Sequence, residues 1–374
     1  MKHIVLSGNT AWGMYNFRGK LMEYLIGKGY KVSVIAPYDS VFSPKLEKLG
    51  CNFVDIKIQS KGANPIVDIL LIVCFLRIFR RLKPDMSISY TIKPNIYASI
   101  AARILGIPFL PVTTGMGYVF LHDNIVCKIA KVLYKFAFSG AQKVWFLNQD
   151  DMEIFKEQKL IEDGKIELLH GEGIDTSRLA LENLPSKDSE CTFVLVGRIL
   201  IDKGIVEYVK ASKIVKTKYP NTKFLLVGAI WPGNPAAISQ SQLDAWCNDG
   251  IVEYLGTFDD IRIPLRKSDC VVLPSYREGI PFTLMEGASM GRPLIATDIP
   301  GCRDVIIDRK TGFLCDVKNP QSLADTMVRI IQLSPEERTK MGKAGREYME
   351  QEFDIKHIIH QYETTINTMC GVCY

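Results

Sequence analysis

The apolar run Cys270-Val-Val-Leu-Pro274 leads directly into Ser275-Tyr-Arg-Glu-Gly-Ile-Pro-Phe-Thr-Leu-Met-Glu286. A buried strand that turns straight into a helix fits that order, and it commits this region to an α/β layer. Pro281 suits the first turn of the helix, predicted over 282–290, because its missing N–H costs nothing there. Glu278 then falls in the loop and Glu286 inside the helix. The amides of Gly279, Ile280, Phe282 and Thr283 converge on one crevice. A helix start offers an anion such donors together with a partial positive charge. Two carboxylates beside an anion site suit a ligand that carries phosphate and hydroxyls together, such as a sugar nucleotide.

The rest of the chain repeats this strand-to-helix alternation twice. Residues 3–7, 31–36, 51–56, 86–90, 109–113 and 144–148 read as short buried strands, after which 166–169 and 171–175 lead on to a polar segment. Helices are predicted over 14–28, 66–79 and 124–138. A polar stretch, 181–190, reads as the linker. From Cys191 the alternation resumes with strands at 192–196, 223–227, 252–255 and 293–296 and a helix at 206–218. Residues 335–352 and 355–370 close the chain as helices. The expected architecture is two doubly wound Rossmann-like domains, 1–180 and 191–352, facing each other across a cleft at the carboxyl ends of their strands. Residues 353–374 form a terminal helix.

Charge divides the two halves. Residues 1–149 hold nineteen Lys and Arg against seven Asp and Glu, whereas the remainder is net negative at −7. A basic first half implies an anionic partner. No basic-aromatic module or recognition motif supports nucleic acid, so a membrane surface or a phosphate-bearing acceptor fits better. Residues 66–79 are the most apolar segment and fall short of a bilayer span of roughly 20 residues. They read either as a buried helix or as one lying in the membrane interface. In 124–138, Lys128, Lys131 and Lys135 recur on one face, opposite Ile125, Val126, Ile129, Val132, Leu133 and Phe136. Ten cysteines without metal-like pairing, and no leader before the first strand, suggest reduced thiols in a cytosolic protein. Cys370-Gly-Val-Cys373 reads as an incidental tail.

The chemistry gathers in three loops. Gly197-Arg-Ile-Leu-Ile-Asp-Lys-Gly204 follows the first strand of the second domain, and Arg198 and Lys203 suit a diphosphate, one as a planar fork and one as a compact charge. Glu286 can accept from both hydroxyls of a ribose diol. Glu278 stands nearer the phosphates and the transferred sugar. In the first domain, Gly8-Asn-Thr-Ala-Trp-Gly13 lacks the dinucleotide glycine pattern; a tight turn and a ligand contact at Gly13 fit it equally. No Asp-x-Asp occurs, so no metal is required.

Gly197-Arg198…Lys203-Gly204, the segment 273–288, Gly291-Arg-Pro and Thr311-Gly-Phe-Leu together resemble the retaining glycosyltransferases of family 4, of GT-B fold. Tyr15-Asn-Phe-Arg18 and Lys61-Gly-Ala-Asn-Pro65 resemble, more loosely, bacterial enzymes that extend undecaprenyl-diphosphate-linked sugars, including N-acetylgalactosaminyltransferases. The resemblance implies that Arg198 and Lys203 hold the donor diphosphate, that Glu286 holds the ribose, and that Glu278 with the amides of Gly279, Ile280 and Phe282 beside Pro281 holds sugar and phosphate. It also implies that the terminal helix packs back on the first domain. Arg18, Thr114 and His122 are the candidate acceptor contacts, His122 reading equally well as structural. Two departures stand out: the first loop lacks a glycine pair, and the loop Thr113-Thr-Gly-Met-Gly117 carries no His. The expected activity is retaining, metal-independent transfer of a hexose or N-acetylhexosamine from a UDP-sugar to a polyprenyl-diphosphate-linked saccharide, on the inner face of the cell membrane. The alternatives are a UDP-sugar epimerase on the same fold and an inactive sugar-nucleotide-binding assembly protein.

Overall fold

The computed structural model describes residues 1–58, 65–115, 125–185 and 191–371. The chain divides into two units, Met1–Glu172 with Ile355–Tyr374, and Gly173–Asp354.

The first unit runs β1 (His3–Ser7), α1 (Ala11–Gly27), β2 (Lys31–Ala36), α2 (Phe42–Lys48), β3 (Asn52–Asp55), α3 (Pro65–Leu82), β4 (Met86–Tyr90), α4 (Ile92–Ile104), β5 (Phe109–Thr113), α5 (Ile125–Phe138), β6 (Val144–Phe146), α6 (Gln149–Glu157) and β7 (Ile166–Leu168). Its strands pair in parallel in the order β3-β2-β1-β4-β5-β6-β7. Strands covered by helices on both faces are apolar throughout, and β1, β4, β5 and β6 are buried along their whole length. The last helix of the chain, α14 (Ile355–Cys370), belongs to this unit. Tyr24 donates to Glu363 at 2.7 Å and Tyr30 to Asn367 at 2.6 Å, while the Tyr362 ring meets Trp145 edge-on at 4.8 Å.

The second unit runs β8 (Thr192–Val196), α7 (Ile205–Lys218), β9 (Lys223–Val227), α8 (Gln240–Asn248), β10 (Glu253–Tyr254), α9 (Arg262–Arg266), β11 (Cys270–Leu273), α10 (Phe282–Ser289), β12 (Leu294–Thr297), α11 (Cys302–Val305), β13 (Gly312–Cys315), α12 (Pro320–Gln332) and α13 (Pro335–Tyr348). These strands are parallel too, in the order β10-β9-β8-β11-β12-β13. One face is packed by Tyr208, Val209, Leu323, Met327 and Ile330, and the other by Leu284, Met285, Ala288 and Met349.

Three expectations need correction. The units divide at Glu172, ahead of the linker expected at 181–190. Ile174 N–H donates to the Phe353 carbonyl at 2.8 Å, and Leu179 is buried against Val271 and Leu273, which ties 173–180 into the second unit. Ile174 also makes a single bridge to Asp354. Helix α13 stops at Tyr348, and Met349–Phe353 form one wider π-helical turn. On α5 the buried side is Cys127, Ala130, Tyr134, Ala137 and Phe138, residues small enough in part to let the helix lie close on α4. Ile129, Val132 and Phe136 are instead 50%, 68% and 53% exposed, on the same outer surface as Lys128 and Lys135.

Candidate active site

In the second sheet the strand order reverses between β8 and β11, which are hydrogen-bonded neighbours. A doubly wound sheet opens a crevice at that place, outside the carboxyl ends of the two strands. The loop after β8 carries Arg198 and Lys203, and the loop after β11 carries Glu278. Three ties draw these loops together. Tyr276 N–H donates to the Asp202 carbonyl at 2.9 Å, and Gly204 presses its Cα against the Pro274 carbonyl. The Lys203 ammonium is ion-paired with the Glu278 carboxylate, both side chains less than one-fifth exposed. A third loop joins from β12: a Cβ on Gly301 would stand 1.4 Å from the Gly279 carbonyl oxygen, and its φ is +78°.

This contact makes Gly301→Ala a test of the loop arrangement. The substitution introduces both a backbone clash and an unfavourable left-handed conformation, so the unfolding free energy should fall by about 2 kcal/mol or more. An unchanged urea midpoint would show that the two loops do not touch.

The helix start beside Glu278 is open. Pro281 is the N-cap of α10 and offers no side-chain cap, while its carbonyl accepts from Leu284 at 3.2 Å. Among the described residues, the amides of Gly279, Ile280 and Thr283 donate to no protein group, and the buried Thr283 hydroxyl is also unpartnered. Four donors at a helix start, beside a lysine, form an anion site.

Glu286 lies one turn further along α10. Burial pushes its carboxyl up to about 7, with Arg178 pulling it down and Asp260 adding to the rise. Asp260 is itself gripped by the Arg262 guanidinium at 2.7 Å and held down at about 2. Arg178, Asp260 and Arg262 carry no motif of their own in the sequence; only the fold brings them to Glu286. Tyr276 adds a further link by donating to Glu207 of α7 at 2.9 Å. Gly228, directly after β9, and Gly204 and Gly301, each just before a helix, had a readable signal in a glycine at an element boundary, and they set the loop spacing. A groove of about 1010 Å³ lined by Arg309, Lys310, Pro335, Lys340 and Lys343 lies between the loop entering β13 and helix α13, away from this crevice.

The first-unit candidates fall out differently. Helix α1 begins at Ala11 with Thr10 as its cap, so Gly13 is helical and its amide donates to Thr10 Oγ1 at 3.1 Å. The expected loop thus ends at Thr10, because a threonine oxygen satisfies the amide that a ligand contact would need. Arg18 is buried. It pairs with Glu172, stacks its guanidinium 4.2 Å from the Tyr90 ring, and donates to the Gly13 carbonyl at 3.3 Å. It is a core ion pair rather than a surface contact for an acceptor. Desolvation raises the Glu172 carboxyl, against the pull of Arg18. Thr114 is half-buried after β5, and His122 lies outside the described residues. Among the described residues, no group of three or more His, Cys, Asp or Glu is placed to hold a metal ion.

The family described as "Glycosyl transferases group 1" matches residues 178–348, and that described as "Glycosyl transferase 4-like" matches residues 3–148. Two parallel Rossmann-like domains with this strand-end site are those of a GT-B glycosyltransferase. The chain is 27% identical over 336 residues to the N,N'-diacetylbacillosaminyl-diphospho-undecaprenol alpha-1,3-N-acetylgalactosaminyltransferase of Campylobacter jejuni, covering 85% of this chain and 86% of that one. It is 26% identical, over 72% of each chain, to the UDP-Gal:alpha-D-GlcNAc-diphosphoundecaprenol alpha-1,3-galactosyltransferase of Escherichia coli. Anabaena HepE, solved in complex with UDP-glucose, superimposes with a TM-score of 0.80 at 17% identity, over 98% of this chain and 100% of that one. The two family matches together span most of the chain, which is a glycosyltransferase.

Proposed function

We propose that the protein transfers a hexose or N-acetylhexosamine from a UDP-sugar to a saccharide carried on a polyprenyl diphosphate, with retention at the anomeric carbon. The observation that carries this reading is the meeting of Lys203, Glu278 and the open start of α10 at the β8–β11 switch point. Support for the lipid-linked acceptor comes from the Campylobacter and Escherichia relatives, and support for the nucleotide from the HepE complex.

In this reading the bond from the anomeric carbon to the diphosphate oxygen breaks while an acceptor hydroxyl forms the new bond on the same face. The acceptor proton passes to the departing phosphate. Negative charge grows on that phosphate, and Arg198, Lys203 and the amides of Gly279, Ile280 and Thr283 are the donors that meet it. Glu286 accepts from the ribose diol. These cations take the place of a divalent ion, so excess chelator should leave the rate unchanged. A panel of UDP-sugars offered with a lipid-diphosphate monosaccharide, scored by mass spectrometry, tests the reading. No product with any donor would overturn it.

The acceptor's lipid requires approach to a membrane, and no helix among the described residues is long and apolar enough to cross one. Exposed Ile129, Val132 and Phe136 beside Lys128 and Lys135 on α5, and exposed Ile66, Ile69 and Leu70 on α3, suit a peripheral location on an anionic leaflet. Each lysine near such a surface contributes about 1 kcal/mol. Lys128→Glu with Lys135→Glu should therefore weaken binding to phosphatidylglycerol vesicles by tenfold or more, in a salt-sensitive way. Equal sedimentation of variant and parent would remove α5 from the membrane surface.

A further inference from the structure

Trp231 has no assigned role, yet it stands 51% exposed at the carboxyl edge of the second sheet. The Arg198 guanidinium lies over its ring, 5.7 Å from the centroid. We propose that Trp231 is a positioning residue for Arg198, holding the guanidinium flat so that its N–H edge is presented to the donor diphosphate. The proposal rests on the assignment of Arg198 to that diphosphate.

The loop that carries Trp231 is built to stand still. Ile199 N–H donates to the Ala229 carbonyl at 3.0 Å, which extends the β8–β9 ladder past Arg198 itself. Gly228, at φ +147°, lets its backbone close against the Gly197 carbonyl, where a Cβ would come within 1.7 Å. Asn234 N–H donates to the Trp231 carbonyl at 3.0 Å, and Ile201 N–H to the Ala236 carbonyl at 2.8 Å. Leu200 and Ala237 form an antiparallel bridge. Loop 229–238 is thus laced along 199–201, and both partners of the cation–π pair sit on fixed backbone.

A guanidinium stacked on an indole uses its face, whereas its donors lie in its plane. Stacking therefore costs Arg198 none of the fork that a phosphate needs. Arg198 itself is exposed, and an unsupported exposed arginine samples many rotamers whose freedom ligand binding must remove. Holding it beforehand lowers that cost. Trp231 is half-exposed too, so its replacement leaves the core untouched.

The test is UDP binding by calorimetry to the full chain and to its Trp231→Ala, Trp231→Phe, Arg198→Ala and doubly substituted variants, with melting temperatures alongside. Trp231→Ala should weaken UDP about fivefold to tenfold, the size of a partly exposed cation–π contact with its ordering effect. Trp231→Phe should recover most of that. In the Arg198→Ala background, Trp231→Ala should do nothing further. A Trp231→Ala variant that binds UDP like the parent, or whose loss adds in full to that of Arg198→Ala, overturns the positioning role alone. If Arg198→Ala itself leaves UDP affinity unchanged, the diphosphate assignment falls, and the positioning role with it.

Discussion

Lys203→Ala and Glu278→Gln should both abolish most transfer yet move UDP affinity in opposite directions. The two side chains are ion-paired and largely buried in the absence of donor, so the cation assigned to the diphosphate is neutralised at rest. Donor binding must exchange this pair for phosphate on Lys203 and sugar hydroxyls on Glu278. Loss of one preorganised donor to a developing anion costs about 10²–10³ in rate. Lys203→Ala should reach that range and weaken UDP as well. Glu278→Gln should lose transfer to a similar degree, because a sugar contact is gone. It should nevertheless bind UDP several-fold more tightly, since Lys203 no longer has a competing carboxylate. Calorimetry with UDP, which carries no sugar to engage Glu278, separates the effects. Parallel losses of UDP affinity in both variants would show that Glu278 supports the nucleotide site rather than competing for its cation.

Glu286 gives the second large effect, and here the pH dependence fixes the sign. Its carboxyl is raised from 4.5 to about 7 by burial. Between those values the folded state binds the proton that the unfolded chain has released, so stability falls as pH rises from about 4.5 to about 7 and levels off above. At about 1.36 kcal/mol per unit, the full effect is on the order of 3 kcal/mol. Glu286→Gln removes the ionisation, so the variant should be more stable than the parent above pH 7 and match it near pH 4.5. UDP binding runs the other way. Only the ionised carboxylate accepts from both ribose hydroxyls at full strength, and a charged hydrogen bond contributes about 1.5–3 kcal/mol. Parent affinity should rise with pH through about 7, while Glu286→Gln should be flat and roughly 30-fold weaker. Urea midpoints and UDP titrations from pH 5 to pH 8.5 measure both trends. A pH-independent parent in both would place the Glu286 carboxyl in solvent.

The strand-to-helix rhythm of the fold was legible because parallel strands covered on both faces leave unbroken apolar runs such as Ile4-Val-Leu and Cys270-Val-Val-Leu. The elements that were not legible lack such a run. Helix α4 is buried over nearly its whole length, with Pro94, Asn95 and Ser99 among its buried residues, so no polar face marks it. Strand β13 is four residues long and begins at a glycine. On α5, lysines and large apolar residues alternate in a way that suggested two opposed faces. The true inner face is Cys127, Ala130, Tyr134 and Ala137, because close approach to α4 favours small side chains over large ones. The partners of Arg18 and Gly13 were not legible for a related reason: a motif position does not tell whether Thr10 or Glu172 has already satisfied its hydrogen-bonding groups.

The sequence alone determined the two α/β domains, the strand-loop-helix that begins at Cys270, and the identity of the cations and carboxylates around it, since local spacing and residue chemistry are written residue by residue. Tertiary structure alone decided their partners. It set Lys203 against Glu278, Trp231 under Arg198, and Arg178 and Asp260 beside Glu286. Those pairs join residues 26 to 108 positions apart, and what unites them is the reversal of strand order at β8 and β11, a property of the assembled sheet that no local stretch of chain contains.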